Sequence, residues 1–316
     1  MDKNDNPNSA GARLYALLVL IAECLVFVVK FNYEILAAIY RLIIRPELKD
    51  LTGETVLITG AGHGIGKELA HLYNAQGCKV VCLDINEKNN AQTVKELNSR
   101  RPRSAFQYKC DVSNRDEVLA VAKKIQMEVG DVTVLVNNAG IMPTHPIEQH
   151  TSEEIRKIMD INVMAHFWML EAFLPSMYEK KRGHIIALAS IAGVVGLTNL
   201  VPYCASKFAV RGMMEALQTE IRDTKPDCDI NTTIVCPYMV DTGLCKKPKV
   251  RFPSLLGLLQ PKEVAEQIVL AHRKNLKEFT IPRHLMYLNH FLRPLPYKCA
   301  IVFKEFMDSG VESDLS

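Results

Sequence analysis

The sequence predicts an α/β chain: a doubly wound parallel sheet of about seven strands, preceded by a long apolar segment. Three observations carry this. Short runs rich in Val, Ile and Leu trade places with amphipathic stretches of helical period from 54 to 281. The turn T-G-A-G-H-G-I-G, 59–66, sits between a strand pattern and a helix pattern. The second strand pattern ends in an acid, Asp84, about 20 residues beyond those glycines. The expected organisation is an N-terminal anchor over 1–50, the α/β domain over 51–283 and an apolar tail over 284–316.

The apolar segment comes in two runs, 14–29 and 35–44, the first broken only by Glu23. Sixteen helical residues reach about 24 Å, short of a ~30 Å hydrocarbon core. Glu23 at the membrane centre would cost on the order of 3 kcal/mol. The expectation is a membrane anchor with its topology open: a helix entering one leaflet, or a hairpin in the interface. A cleaved signal peptide and an ordinary core helix are the competing readings; no small-x-small site follows the first run. Lys30, Arg41, Arg45 and Lys49 after that run, against Lys3 and Arg13 before it, place the domain on the cytoplasmic side.

From 54 the elements follow in order. The run 54–59 is the first strand, and the glycine turn opens a helix ending near Gln76. Gly60, Gly64 and Gly66 allow a tight turn and let backbone N–H groups and the helix N-terminus approach a pyrophosphate; His63 and Ile65 complete the turn. The strand 78–84 delivers Asp84, whose carboxylate can accept both ribose hydroxyls and repels a 2′-phosphate, unless it merely caps the next helix. With His63 where an arginine would serve a 2′-phosphate, NAD is favoured and NADP stays possible. A helix over 87–99, a strand over 104–110 ending at Asp111 and Val112, and a helix over 115–129 continue the alternation. The strand 132–136 runs into Asn137-Asn138-Ala139-Gly140, which either floors a cofactor site or simply makes a turn.

A long helical tract, 152–180, carries Asn162 among apolar neighbours, where it is structural or carries a link toward a lysine. The strand 184–189 delivers Ser190, and thirteen residues later Pro202 opens a helix bearing Tyr203 and Lys207. Positions i and i+4 share a helix face, so the ammonium lies near the phenol and favours phenolate. The strand 230–236 leads to a loop from which Thr242 can reach a nicotinamide carboxamide. A Pro- and Leu-rich loop, 245–259, is long enough for a substrate lid. A helix over 261–275 and a last strand over 278–281 close the domain, and the tail packs on it or dips into a membrane surface.

Composition limits the functions. With 38 basic and 35 acidic residues the net charge of +3 gives no argument for nucleic acid. Nine cysteines without C-x-x-C or Cys/His spacing fit a reducing compartment, with no disulfide framework and no metal site expected.

Together, T-G-A-G-H-G-I-G, Asp84, C-D-V, N-N-A-G, Asn162, Ser190 and Y-C-A-S-K resemble the short-chain dehydrogenase/reductase family over about 52–281. The apolar N-terminus and V-N-V-M-A-H-F-W-M-L-E-A-F-L-P-S-M are similar to its membrane-bound branch, which holds 17β-hydroxysteroid dehydrogenases types 11 and 13 and epidermal retinol dehydrogenases. The resemblance implies a Rossmann domain, a nicotinamide cofactor and a seat on endoplasmic reticulum or lipid droplets, facing the cytosol. It implies Tyr203 as acid/base, Ser190 as anchor of the substrate oxygen, Lys207 as ribose ligand and Asn162 in a proton relay. Asp111 and Val112 would flank the adenine, and Asn138, Ala139 and Gly140 would lie along the cofactor. Tyr238 departs from the pattern, since many relatives carry Gly after the residue matching Pro237. The implied reaction interconverts lipophilic alcohols and carbonyls, retinoid or 17β-hydroxysteroid, in a homodimer. An NADPH-linked carbonyl reductase and a lipid-droplet scaffold with little activity are the alternatives.

Overall fold

The computed structural model describes residues 10–44 and 47–315, the side chains of 41–43 excepted. Lys3 and Arg45, two charges in the orientation argument, lie outside them. The chain divides between Leu48 and Lys49 into two units.

The first unit is one helix, α1 (Ala10–Ile43), of 34 residues. At 1.5 Å per residue it is about 51 Å long, more than a ~30 Å hydrocarbon core. The two apolar runs are therefore not a hairpin. The polar stretch Lys30–Glu34 dilutes the apolar pattern, but no Gly or Pro stands between Ala12 and Arg45 to break the helix. Its apolar side chains, Leu14, Leu25, Phe27, Val29 and Leu36 among them, are exposed. By length and composition α1 can cross a membrane.

The second unit is built on seven strands: β1 (Thr55–Thr59), β2 (Lys79–Asp84), β3 (Ala105–Lys109), β4 (Val134–Asn137), β5 (Arg182–Leu188), β6 (Asp229–Pro237) and β8 (Glu278–Ile281). They lie in the order β3-β2-β1-β4-β5-β6-β8, and every pairing is parallel. Side chains alternate between two cores. Val56, Ile58, Val134, Val136 and Ile186 face Leu69, Tyr73, Val264 and Ile268, carried by α2 (Gly64–Ala75) and α8 (Pro261–Arg273). Leu57, Leu135 and Ile185 face the other way. They meet Val118 and Ile125 of α4 (Arg115–Glu128), Met169 and Phe173 of α6 (Ala165–Glu179), and Val210 and Met214 of α7 (Val201–Thr224). Covered on both faces, the strands read as unbroken apolar runs rather than alternating ones.

The expected tract 152–180 is helical throughout but not uniform. Between α5 (Ser152–Met159) and α6 lies one π turn, Asp160–Met164, with Asn162 inside it. Beyond β8 come α9 (His284–Leu292), α10 (Tyr297–Met307) and a two-residue strand, β9 (Gly310–Val311). β9 pairs antiparallel with β7 (Pro248–Lys249), inside the expected lid loop. The tail thus packs on the domain through Leu285, Met307 and Val311, while Tyr287, Phe291, Tyr297 and Val302 face outward.

Candidate active site

The strand order reverses between β1 and β4, and a doubly wound sheet opens a crevice at the carboxyl ends of its strands there. A cleft lies at this point, lined by Gly60, His63, Gly64, Ile65, Asn138, Ala139, Gly140, Ser190, Tyr203, Lys207 and Thr242. Eleven residues singled out from the sequence thus meet in one place, drawn from five segments of the chain. Asp84, Asp111 and Val112 are not in this lining, and Gly66 and Asn162 stand just behind it.

The glycines have separate reasons. Gly60 and Gly64 have φ of +69° and +59°, a region costly for any side chain. Gly66 is held by close approach: a Cβ there would lie 2.0 Å from the Gly60 carbonyl oxygen and 2.7 Å from Asn138 Nδ2. α2 therefore starts against the end of β1. Asn86, Asn114 and Thr151 cap α3 (Glu87–Arg100), α4 and α5 with a side-chain oxygen, but His63 at the start of α2 makes no cap bond. The first-turn N–H groups of α2 lack a side-chain acceptor, as an anion site requires. His63 instead donates from Nε2 to the Thr242 carbonyl at 2.9 Å, tying the turn to the loop after β6.

Asp84 stands at the rim. Its Oδ2 accepts the Gly62 N–H at 2.7 Å and its Oδ1 the Asn86 N–H at 2.8 Å. It is both a turn residue and a carboxylate pinned beside the glycine turn. A carboxylate has about four acceptor positions, so two remain for hydroxyls. Asp111 Oδ1 accepts the N–H and hydroxyl of Ser113, holding the turn after β3.

Thr59, unremarked among the site residues from sequence, sets the floor. Its Oγ1 accepts the N–H groups of Asn138 at 2.9 Å and Ala139 at 3.0 Å, and Asn138 Nδ2 donates to the Thr59 carbonyl at 2.8 Å. The adjacent amides are therefore more than a turn: Asn138 stitches β4 to β1.

Ser190 lies two residues beyond β5, with its Oγ accepting the Ala192 N–H at 3.1 Å. Pro202 in the first turn of α7 fixes where that helix begins. Tyr203 and Lys207 share its cleft-facing side, buried at 6% and 4% exposure, with the ammonium 5.6 Å from the phenol ring centre. Lys207 Nζ donates to the Leu188 carbonyl at 2.8 Å. Burial pushes the Tyr203 phenol up to about 12, although a hydrogen bond with Ser190 pulls the other way. Burial also draws Lys207 down to about 8. The expected lowering of the tyrosine by its lysine is not seen: desolvation sets the direction, and the opposing pull comes from Ser190.

Asn162 makes three side-chain hydrogen bonds. Its Oδ1 accepts the Ile141 N–H, and its Nδ2 donates to the Ile141 carbonyl and to Ser206 Oγ, at 2.9, 2.9 and 3.1 Å. It clamps the segment after β4 to α7. A Cβ on Gly140 would lie 3.2 Å from Asn162 Oδ1 and 3.6 Å from Lys207 Nζ, so the glycine lets the two converge.

The remaining walls are apolar. Met142, Leu197, Leu200, Met239 and Val311 surround Tyr203. Val311 arrives from the far end of the chain. Asn199 Nδ2 donates to its carbonyl at 3.0 Å, and the Asp314 N–H donates to the Thr144 carbonyl at 2.8 Å. The loop 245–259 contributes Cys245 and the β7 partner that holds this strap.

A sequence model of the family described as short chain dehydrogenase matches residues 54–250. Short-chain dehydrogenase/reductase family 16C member 6 of Bos taurus is 39% identical over 84% of this chain and 83% of its own. Epidermal retinol dehydrogenase 2 of Homo sapiens is 37% identical over 89% and 91%, and human 17-beta-hydroxysteroid dehydrogenase 13 is 36% identical over 87% and 89%. Among solved structures, a short chain dehydrogenase/reductase from Burkholderia phymatum in complex with NAD superposes with a TM-score of 0.70 at 24% identity, covering 77% of this chain and 94% of that one. A metagenomic short-chain oxidoreductase in complex with NADP gives 0.62 at 25% identity, covering 73% and 97%. This protein belongs to the short-chain dehydrogenase/reductase family of oxidoreductases, and its relatives include the retinol and 17β-hydroxysteroid dehydrogenases.

Proposed function

We propose that this chain is a membrane-associated, NAD-dependent dehydrogenase that interconverts lipophilic alcohols and their carbonyls. One observation carries the reading: Ser190, Tyr203 and Lys207 converge on a cleft whose other walls are Met142, Leu197, Leu200, Met239 and Val311. A polar reactive corner in an apolar chamber suits an alcohol on a hydrophobic body.

The residues present fit a dinucleotide. The uncapped start of α2 would take the pyrophosphate and the side-chain-free approach at Gly66 keeps that helix in place. Asp84 would accept the adenosine ribose hydroxyls and oppose a 2′-phosphate, which favours NAD. Lys207 would reach the second ribose, and Thr242, pinned by His63, the carboxamide. When bound, the nicotinamide supplies the hydride acceptor.

In oxidation, Ser190 Oγ holds the substrate oxygen and Tyr203, as phenolate, takes the hydroxyl proton. Lys207, charged below about 8 and with its ammonium 5.6 Å from the phenol ring centre, favours that phenolate. Asn162 acts as a positioning residue through its side chain. Its two amide hydrogens are spent on Ile141 and Ser206, so a relay toward the lysine would use its backbone or the second acceptor position of Oδ1.

The long exposed apolar α1 and the outward Tyr287, Phe291, Tyr297 and Val302 of the tail support a seat at a membrane. Lipophilic substrate would then be taken from the phase in which it dissolves. A panel of retinol, 17β-hydroxysteroids and long-chain alcohols, assayed with NAD on membrane fractions, tests the reading. NADH formation with at least one alcohol, absent from mock membranes, is expected. No turnover with any member would leave the scaffold alternative in its place.

A further inference from the structure

We propose that His145, His150 and Glu154 form a binding site for a zinc-type divalent cation beside the cleft. His150 and Glu154 stand i,i+4 apart but His145 falls outside that repeat, and cysteine spacing says nothing of the cluster. His145 and His150 flank a single short turn, and Glu154 lies in the first turn of α5. His145 Nε2 is 3.3 Å from Glu154 Oε1, His150 Nδ1 is 3.9 Å from Glu154 Oε2, and the three ligand atoms all lie within 4.8 Å. Two bonds of about 2.0–2.1 Å at a tetrahedral angle set ligand atoms about 3.3 Å apart. Side-chain shifts of roughly 1–1.5 Å therefore close the site around an ion.

Burial makes the arrangement informative. His145 is 5% exposed and the His150 side chain is fully covered. Among the described residues, His145 Nδ1 and both ring nitrogens of His150 are buried without a hydrogen-bond partner, and of these an ion would engage His150 Nδ1. Buried polar groups are rarely left so, and an ordinary His145–Glu154 hydrogen bond would leave His150 unexplained.

Glu154 is oriented in advance. Its Oε2 accepts the Thr151 N–H at 3.0 Å while Thr151 Oγ1 accepts the Glu154 N–H at 3.1 Å, a reciprocal cap. Oε1 lies against His145 Nε2, while the capped Oε2 is the oxygen 3.9 Å from His150 Nδ1. Two imidazoles and one carboxylate favour zinc, cobalt or nickel over magnesium or calcium, and leave a fourth position for water. His145 directly follows Thr144, which holds Asp314 of the tail, and Met142 lines the cleft. An ion here would stiffen the segment shared by the cleft wall and the tail latch.

The test uses the full-length protein in detergent, without a histidine tag and stripped by chelator. Cobalt titration reads geometry from visible absorbance, and zinc affinity comes from competition with a chromophoric chelator. Glu154→Gln removes the anionic ligand yet keeps the cap, since glutamine also serves at that position. The expected result is one ion per chain, a rise in Tm with zinc, and affinity at least about tenfold weaker in Glu154→Gln and in His150→Ala. Absence of one-to-one binding, or affinity in Glu154→Gln within about threefold of wild type, would overturn the proposal. So would cobalt–thiolate charge-transfer bands, which would place the ion on one of the nine cysteines. Glu154→Gln decides the matter even if His150→Ala fails to fold.

Discussion

Thr59→Val tests whether one hydroxyl sets the floor of the cleft. The substitution nearly preserves shape at a position 2% exposed, so packing barely changes. It strips the acceptor from the N–H groups of Asn138 and Ala139, at 2.9 and 3.0 Å, and the donor to the Val136 carbonyl at 3.4 Å. Leaving a buried donor unpaired costs about 1–3 kcal/mol, so two give about 2–6. Asn138 and Ala139 are half-buried, and water replaces part of what is lost. The expected destabilisation is about 2–3 kcal/mol, a large share of a total near 5–15. Thr59→Ser keeps the hydroxyl and loses one methyl, worth about 1 kcal/mol. Urea unfolding of the full chain in detergent should rank wild type above Ser and Ser above Val, with NADH affinity falling in the same order. Packing alone predicts the opposite order for the variants. A valine form as stable as wild type, with serine below it, would refute the reasoning.

Three further outcomes are expected. Asp84→Ala should cut kcat/KM for NAD about 10–100-fold, the worth of a charge-assisted hydrogen bond of about 1.5–3 kcal/mol, while sparing or improving NADP; steady-state kinetics with both cofactors checks it, and a wild type that already prefers NADP would contradict it. Val311→Asp places a charge in the apolar wall over Tyr203 and should raise KM for a lipophilic alcohol about tenfold or more, with NADH affinity unchanged by fluorescence titration. Acid should unfold the protein through its buried imidazoles. His166 and His272 are held neutral down to about 3, and His184 well below its usual value, all mainly by burial. Unfolding restores a pKa near 6.5, so the unfolded state binds more protons from there down to about 3, and stability falls with falling pH. Each such group contributes a slope of up to about 1.4 kcal/mol per pH unit, and urea midpoints between pH 4 and 6 should show uptake of about three protons or more on unfolding. A flat profile across that window would contradict the burial argument.

Much of the domain was legible because local pattern and tertiary environment agree. Strands buried on both faces read as apolar runs, and the glycine turn stands where a strand must give way to a helix against it. What stayed hidden depends on contacts distant in sequence. The site role of Thr59 is a hydrogen bond to residues 79 and 80 positions away. Val311 closes the cleft through a two-residue ribbon with Pro248–Lys249, too short to leave a strand pattern. The π turn at Asn162 leaves the apolar periodicity of 152–180 almost unchanged, so the sequence showed one helix. At α1 the dilution by Lys30 and Glu34 suggested two pieces, yet with no Gly or Pro there the helix runs through. The shift of Tyr203 followed from burial, which spacing on a helix cannot supply.

The central claim is that the phenol of Tyr203 carries the proton. Single-turnover oxidation of a lipophilic alcohol by Tyr203→Phe, beside NADH affinity from fluorescence titration, tests it most directly. The account predicts a rate about 10²–10⁴-fold below wild type with NADH affinity nearly unchanged. A phenylalanine variant that turns over like wild type would contradict it.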